Sequence, residues 1–277
     1  MKRRFLFLLF AFLLWQTDAV QALTAHEQQP GTTGELHIRS GKESIYGILS
    51  KPANKGEKQP VVIIAHGFNG THEFGKNYFK RLNGMGYQCF TFDFPCGSLK
   101  NRSNDDTMNM SVIDEQQHLE TVVDFFRSQP DVDPERIILV GESQGGLVSA
   151  LTAAKNPTKI YRLVLVFPAL CIPDNWNQHY PHIADIPDTT RIWNVPLGRR
   201  FFTEIRYLNP FAMIGSYERP VLIIHGDKDP VVPLEYSVRA SKTYKNASIV
   251  VLEGEGHGFK PQGFEHSLDE IEKFLKD

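Results

Sequence analysis

Several things are scarce in this chain, and each scarcity narrows what it can be. It has three cysteines in 277 residues, too few and an odd number for a disulfide scaffold, so the fold has to rest on its core. Cys89 sits in an apolar run and reads as a core thiol; Cys96 and Cys171, each just past such a run, leave one bridge open. The formal net charge is only -2, from 30 basic and 32 acidic side chains. That balance supplies no basic field for nucleic acid or an anionic membrane surface. Ten histidines show no ligand spacing better than His179-x-x-His182, so no metal is expected, and no motif calls for another cofactor. There is no internal repeat and no low-complexity tract.

Long apolar runs are missing too. The longest, Phe5 to Trp15, has eleven residues, short of the roughly 18 or more that mark a membrane-spanning helix. It is preceded by Lys2-Arg3-Arg4 and followed by the small-residue site Val20-Gln21-Ala22. That layout is a secretory signal peptide. Residues 1–22 are therefore expected to be removed, leaving 23–277 exported, periplasmic or secreted, with no stable membrane insertion.

What remains has the composition of an ordinary globular protein, 41% hydrophobic and 22% charged, and about 250 residues can form one α/β domain. "ELHIRS" and "SIYGILS" read as two antiparallel strands around a Gly-Lys-Glu turn. "VVIIA", "YQCFTFDF", "RIILV", "YRLVLVF", "VLIIH" and "SIVVL" are further strands, several of them β-branched runs suited to burial on both faces. Helix-like stretches separate them: "FGKNYFKRLNGMG", Val112 to Ser128 with acids early in the stretch, "GGLVSALTAAKN", "LEYSVRASKTY" and a last one around "HSLDEIEKFLK". Strands alternating with helices predict a mostly parallel central sheet flanked by helices. One segment, 168–219, breaks the alternation and is rich in proline and aromatics. Long insertions of this kind inside a compact domain are usually functional.

Chemistry is concentrated at the ends of the strands. "GESQGG", residues 141–146, places Ser143 between glycines where a strand gives way to a helix. Such a sharp turn makes a serine project from the bend. An acyl-transferring serine needs a base, an acid to orient that base, and donors for the oxyanion. After "VLIIH" comes "GDKDPVVP", with Asp227 and Asp229; after "SIVVL" comes "EGEGHGF", with His257. The order Ser, Asp, His puts the acid and base in loops after consecutive strands. Asp229 is the preferred acid, because Asp227 directly follows the strand and can cap the turn, whereas "PVVP" after Asp229 holds it rigidly. The oxyanion donors expected are the backbone N–H of Gln144 and that of Phe68 in "HGFNGT", with His66 as an anchor of that loop.

On these residues a resemblance can be named. Residues 35–276 resemble the α/β-hydrolase superfamily, through "HGFNGT", "FDF" with Gly97 and Ser98, "GESQGG", "HGDKDPVVP" and "GEGHGF". They look most like its cinnamoyl (feruloyl) esterase branch, which carries an insertion between the sixth and seventh strands, and are also similar to prolyl-oligopeptidase-type catalytic domains. The resemblance implies Ser143 as nucleophile, Asp229 as acid, His257 as base, and Phe68 and Gln144 as oxyanion donors. It implies a cofactor-free serine esterase acting on hydroxycinnamoyl or other small acyl esters, small-molecule or polysaccharide-linked. The alternatives are a serine peptidase of prolyl-oligopeptidase type and an acetyl esterase. Trp176, Trp193 and Tyr207, in the insertion, are expected to wall an apolar slot above Ser143 and bind substrate. One departure from the superfamily pattern is "FPCGSLKNRS", which replaces the more usual Gly-x-Gly-x-Ser after the fourth strand.

Overall fold

The computed structural model describes residues 31–53, 58–103 and 105–277; the expected signal peptide at 1–22 lies outside them. Strands β1 (Thr32–Ser40) and β2 (Glu43–Lys51) pair antiparallel across Gly41, whose φ of 59° suits a residue without a side chain. The rest of the main sheet consists of β3 (Gln59–Ala65), β4 (Gln88–Phe92), β5 (Val132–Glu142), β6 (Arg162–Val166), β9 (Val221–Gly226) and β10 (Ala247–Leu252). These six are mutually parallel, and β2 joins them antiparallel on β4, giving the order β1-β2-β4-β3-β5-β6-β9-β10. The remaining two strands, β7 (Thr189–Ile192) and β8 (Val195–Gly198), form a separate hairpin.

Between the strands run helices α1 (His72–Gly75), α2 (Phe79–Gly84), α3 (Val112–Arg127), α4 (Gln144–Lys155), α5 (Ile172–His179), α6 (Arg199–Ile205), α7 (Pro210–Met213), α8 (Leu234–Thr243) and α9 (Pro261–Lys276). Every residue of β3 and β6 is buried, as a strand covered on both faces demands. Alternate side chains serve opposite cores. Val61, Ile63 and Leu139 meet α3 and α4, whereas Val62, Ile64 and Val140 meet α2 and α9.

The helix expected over "FGKNYFKRLNGMG" is not continuous: a 3₁₀ turn at 76–78 separates α1 from α2. The cause is tertiary. Asp93, beyond β4, accepts from the backbone N–H of His72 at 2.6 Å, and Gly75 lies so close to Thr91 that a Cβ there would stand 2.2 Å from its Oγ1. Pinned to β4 at its start, the chain tightens to reach the position of α2. The three cysteines are free and buried, so Cys96 and Cys171 do not pair.

The segment between β6 and β9 folds into α5, the β7–β8 hairpin, α6 and α7 above the ends of the parallel strands. Arg200 donates to both Asp114 oxygens on α3, at 2.5 and 2.9 Å, and Ser111 donates to Glu204. Thr107 donates to the Pro196 carbonyl at 2.8 Å, and Gly198 rests on Met108, where a Cβ would come within 2.2 Å of the carbonyl oxygen. The two arginines of "GRR" therefore fasten this segment: Arg199 donates to the carbonyls of Ile183 and Ile186.

Candidate active site

β5 ends at Glu142 and α4 begins at Gln144, so Ser143 alone makes the turn. Its φ of 51° and ψ of -118° belong to a region that side-chain-bearing residues seldom occupy. The flanking glycines permit it. A Cβ on Gly145 would stand 2.4 Å from the carbonyl oxygens of Ala65 and His66, and one on Gly141 2.4 Å from the Gly145 carbonyl and Ser149 Oγ. Hydrogen bonds hold the strained turn: Ser143 N–H donates to the Val166 carbonyl at 3.1 Å, and its own carbonyl accepts from Ala169 N–H at 2.8 Å.

His257 follows β10 and Asp229 follows β9, the two adjacent strands at that edge of the sheet. His257 Nε2 is 3.0 Å from Ser143 Oγ, and His257 Nδ1 is 2.8 Å from Asp229 Oδ2. With Nδ1–H donating to the carboxylate, Nε2 is left to accept from the serine hydroxyl. The Asp229 side chain has no solvent exposure. Its Oδ1 accepts from the backbone N–H groups of Val231 and Val232 at 2.8 and 2.9 Å, which are the residues of the "PVVP" run. His225 Nε2 stands 3.3 Å from Oδ2; burial holds the pKa of this imidazole below its usual value, and it donates to the Val232 carbonyl at 3.0 Å. Asp227 faces elsewhere: it accepts from Gly254 N–H at 2.6 Å and pairs with Lys228, tying the β9 loop to the β10 loop.

Phe68 and Gln144 border the same cavity as Ser143. Among the described residues, no acceptor takes the backbone N–H of either. The loop carrying Phe68 comes close enough that a Cβ on Gly67 would lie 3.0 Å from Ser143 Cβ. His66, buried and held below its usual pKa by that burial, spans the loop: Nδ1 donates to the Gly67 carbonyl at 2.7 Å and Nε2 accepts from Phe94 N–H at 3.2 Å. The departure "FPCGSLKNRS" braces the loop from outside, with Asn69 N–H donating to the Gly97 carbonyl and Asn69 Oδ1 accepting from Leu99 N–H.

The cavity above Ser143 measures about 510 Å³, and its lining is largely apolar, including Ile172, Trp176, Ile192, Trp193, Phe201 and Val232. Trp176 is partly buried against Phe202, with ring centroids 4.9 Å apart. Trp193 is 67% exposed at the tip of the β7–β8 hairpin. Trp193 and Asn194 both have positive φ, 46° and 68°, the pattern of a two-residue type I′ turn. That turn carries the indole over Phe68, edge-on at 5.8 Å.

Tyr207 is a correction. It is 81% exposed and lines a separate depression of about 280 Å³, with Asp174, Arg206 and Arg239. Its neighbour Arg206, at the end of α6, donates to the carbonyls of Tyr180 and Pro181. Sequence reasoning also passed over Ile172, Asn175 and His179, although with Trp176 they follow the spacing of one helix face. Among the described residues, no group of three or more His, Cys, Asp or Glu side chains is placed to hold a metal ion.

Two buried acids beside Ser143 carried no signal in the sequence. Glu115, which reads as an acid favouring the start of α3, turns inward, and both its oxygens accept from Gln144 Nε2, at 2.8 and 3.0 Å. Glu142 accepts from the Tyr78 hydroxyl at 2.7 Å. Burial pushes each carboxyl up to about 8.

Comparison with known proteins agrees with this architecture. A family model described as serine aminopeptidase, S33, matches residues 56–200, and one described as TAP-like protein matches 209–277. The structure of Est1E from Butyrivibrio proteoclasticus with ferulic acid bound superposes with a TM-score of 0.81 at 28% identity, covering 87% of this chain and 97% of that one. The human serine hydrolase BPHL is 23% identical over 90% of this chain and 89% of its own. The acetyl esterase Axe7A of Xylanibacter ruminicola is 30% identical over 69% of this chain and 47% of its own. A match over just over half the length, on an eight-stranded sheet of this order, makes the chain a hydrolase of the α/β-hydrolase family that the serine aminopeptidase, S33, model represents.

Proposed function

We propose that the protein is a serine carboxylic-ester hydrolase, in which Ser143, His257 and Asp229 form the catalytic triad and the acyl group is hydroxycinnamoyl or another small acyl. The observation that carries this reading is the hydrogen-bonded line from Ser143 through His257 to Asp229, opening on a cavity of about 510 Å³ with a mainly apolar wall.

The chemistry runs as acyl transfer. Ser143 Oγ attacks the ester carbonyl carbon while His257 Nε2 takes the hydroxyl proton. Asp229 keeps Nδ1 protonated and stabilises the imidazolium. The carbonyl oxygen, now anionic, receives the backbone N–H groups of Phe68 and Gln144. The tetrahedral intermediate expels the alcohol, which leaves with the proton from Nε2, and Ser143 keeps the acyl group. Water, deprotonated by the same nitrogen, attacks the acyl-enzyme, and the acid departs as Ser143 Oγ is reprotonated.

The acyl group suits the cavity. Burying an aromatic ring of about 100 Å² against Trp176 and its neighbours is worth roughly 2.5 kcal/mol before ordering costs. The similarity to Est1E, solved with ferulic acid, supports the same class. The family description raises a second reading, a serine peptidase. An aminopeptidase has to neutralise a substrate ammonium, and no acidic side chain is among the residues lining the cavity; the ester reading is favoured on that ground.

Paired assays decide between them: methyl ferulate and a nitrophenyl acetate against a prolyl anilide, with Ser143→Ala as control. Hydrolysis of the esters alone, lost in the variant, is expected. Cleavage of the anilide at a comparable rate would establish the peptidase. We also propose that the protein acts outside the cytoplasm after residues 1–22 are removed. Exported protein beginning near Leu23 is expected on N-terminal sequencing, and an intact Met1 would instead indicate an anchor.

A further inference from the structure

Glu115 is a carboxylic acid where a folded protein ordinarily places none. It is 2% exposed, and among the described residues no cationic side chain pairs with it. Among the described residues its polar side-chain partner is the amide of Gln144, itself 3% exposed, whose Nε2 meets both carboxyl oxygens and lies 3.6 Å from Met110 Sδ. An acid so buried without charge compensation is costly unless something depends on it.

What depends on it is the residue at the other end. Gln144 is the first residue of α4 and follows the strained Ser143. Its side chain reaches back to α3, and its backbone N–H is the group read above as an oxyanion donor. Gly145 and Gly146 follow, so no neighbouring side chain steadies this turn from the C-terminal side. We propose that Glu115 is a positioning residue for acyl transfer: by holding the Gln144 side-chain amide, it fixes the direction in which the Gln144 backbone N–H meets the oxyanion. The inference rests on the proposed function and adds to it a residue 28 positions upstream of the nucleophile.

The role has an electrical side. Burial keeps Glu115 uncharged near neutrality, its pKa pushed up to about 8. The titratable groups facing it are Asp114 on its own helix, which Arg200 engages, and the Cys96 thiol from the loop after β4, which burial raises well above the usual thiol value. Neither offers a positive charge. Ionised Glu115 would therefore set an uncompensated negative charge behind an oxyanion of the same sign, and would slow the step that forms it.

The test compares wild type, Glu115→Ala, Glu115→Gln and Glu142→Gln on nitrophenyl butyrate from pH 6 to 10, with fluorophosphonate labelling of Ser143 followed in parallel. Glu115→Ala is expected to lower kcat by about 10- to 100-fold, a fraction of what losing an oxyanion donor outright costs, with KM within threefold. Labelling should slow with it. Glu115→Gln, which keeps an acceptor for Gln144, is expected to restore most of that loss at pH 7. Wild-type kcat should fall on the order of tenfold above pH 8 as a like charge appears in a site of low dielectric, and Glu115→Gln should remove that fall. Wild-type kcat in Glu115→Ala, or an alkaline fall that survives in Glu115→Gln and vanishes in Glu142→Gln, would overturn the inference. If the alanine variant does not fold, the pH profile of Glu115→Gln decides by itself. A wild type that never labels at Ser143 overturns the proposed function instead, whereas a labelled wild type matched in rate by Glu115→Ala overturns this inference alone.

Discussion

Replacing Asp229 by asparagine removes one charge and swaps one oxygen for an amide nitrogen, and the surroundings dictate where that nitrogen goes. Oδ1 faces two backbone N–H groups at 2.8 and 2.9 Å, so an amide nitrogen there would set donor against donor. The nitrogen must take the Oδ2 position, against His257 Nδ1 at 2.8 Å. There it donates, which forces Nδ1 to accept and moves the imidazole proton to Nε2. Nε2–H then points at Ser143 Oγ and cannot remove its proton. Loss of kcat of about 10⁴ follows, the scale seen when a triad carries the wrong tautomer. Stability should change little, because a buried charge is relieved as one strong hydrogen bond weakens. The assay is kcat on an activated ester at pH 7.5, with circular dichroism melting as control. Asp227→Asn is the internal reference: its carboxylate accepts from Gly254 N–H at 2.6 Å, an asparagine oxygen can do the same, and activity should fall far less than in Asp229→Asn. A folded Asp229→Asn enzyme retaining more than a hundredth of the activity, or one outlasting Asp227→Asn, would refute the assignment.

Other consequences can be measured directly. Gly145→Ala should cost about 2–4 kcal/mol of stability or prevent folding, since its Cβ would stand 2.4 Å from two backbone carbonyl oxygens that cannot retreat; chemical denaturation checks this, and a shift under 0.5 kcal/mol would contradict it. Trp176→Ala should reduce the preference for aryl over acetyl esters about tenfold, equivalent to ~1.4 kcal/mol, read as a ratio of kcat/KM values. An unchanged ratio would place the acyl group elsewhere. Glu115 and Glu142 both have folded-state pKa values raised to about 8 by burial, so folding is favoured while they hold protons and stability falls as pH climbs towards 8. His66 and His225, lowered by burial, act in the opposite sense below about pH 6.5, their ordinary titration range. The melting temperature should therefore decline from pH 6.5 to 8, and less steeply in Glu142→Gln; parallel slopes would show that Glu142 does not titrate there.

The parts of this site that depend on local rules were legible in the sequence. β-branched runs such as "VVIIA" suit strands buried on both faces, and the helices between them favour parallel pairing. Chain order then places the residues after β5, β9 and β10 at one end of the sheet, where Ser143, Asp229 and His257 lie. The glycines around Ser143 were legible as a pattern. Gly141 meets atoms of the same turn, but what bars a side chain at Gly145 are the carbonyls of Ala65 and His66, some 80 residues earlier.

Contacts between distant segments left no such trace. Glu115 at the start of α3 obeys the same preference for early acids as any exposed helix, and only the packing of α3 on α4 turns it towards Gln144. Glu142 and Tyr78 are separated by 64 residues, and nothing in either neighbourhood announces the other. "FGKNYFKRLNGMG" has the periodicity of one helix, but Asp93 and Thr91 on a neighbouring segment decide where it breaks. Trp193 and Tyr207 are alike in sequence as aromatics of one insertion. A two-residue turn sends the first over Phe68, whereas the second stands just past α6, exposed and lining a different depression. Periodicity and turn chemistry act over a few residues and can be read from the chain; the direction of a side chain across an interface depends on which surfaces meet, and that is settled only when the whole fold closes.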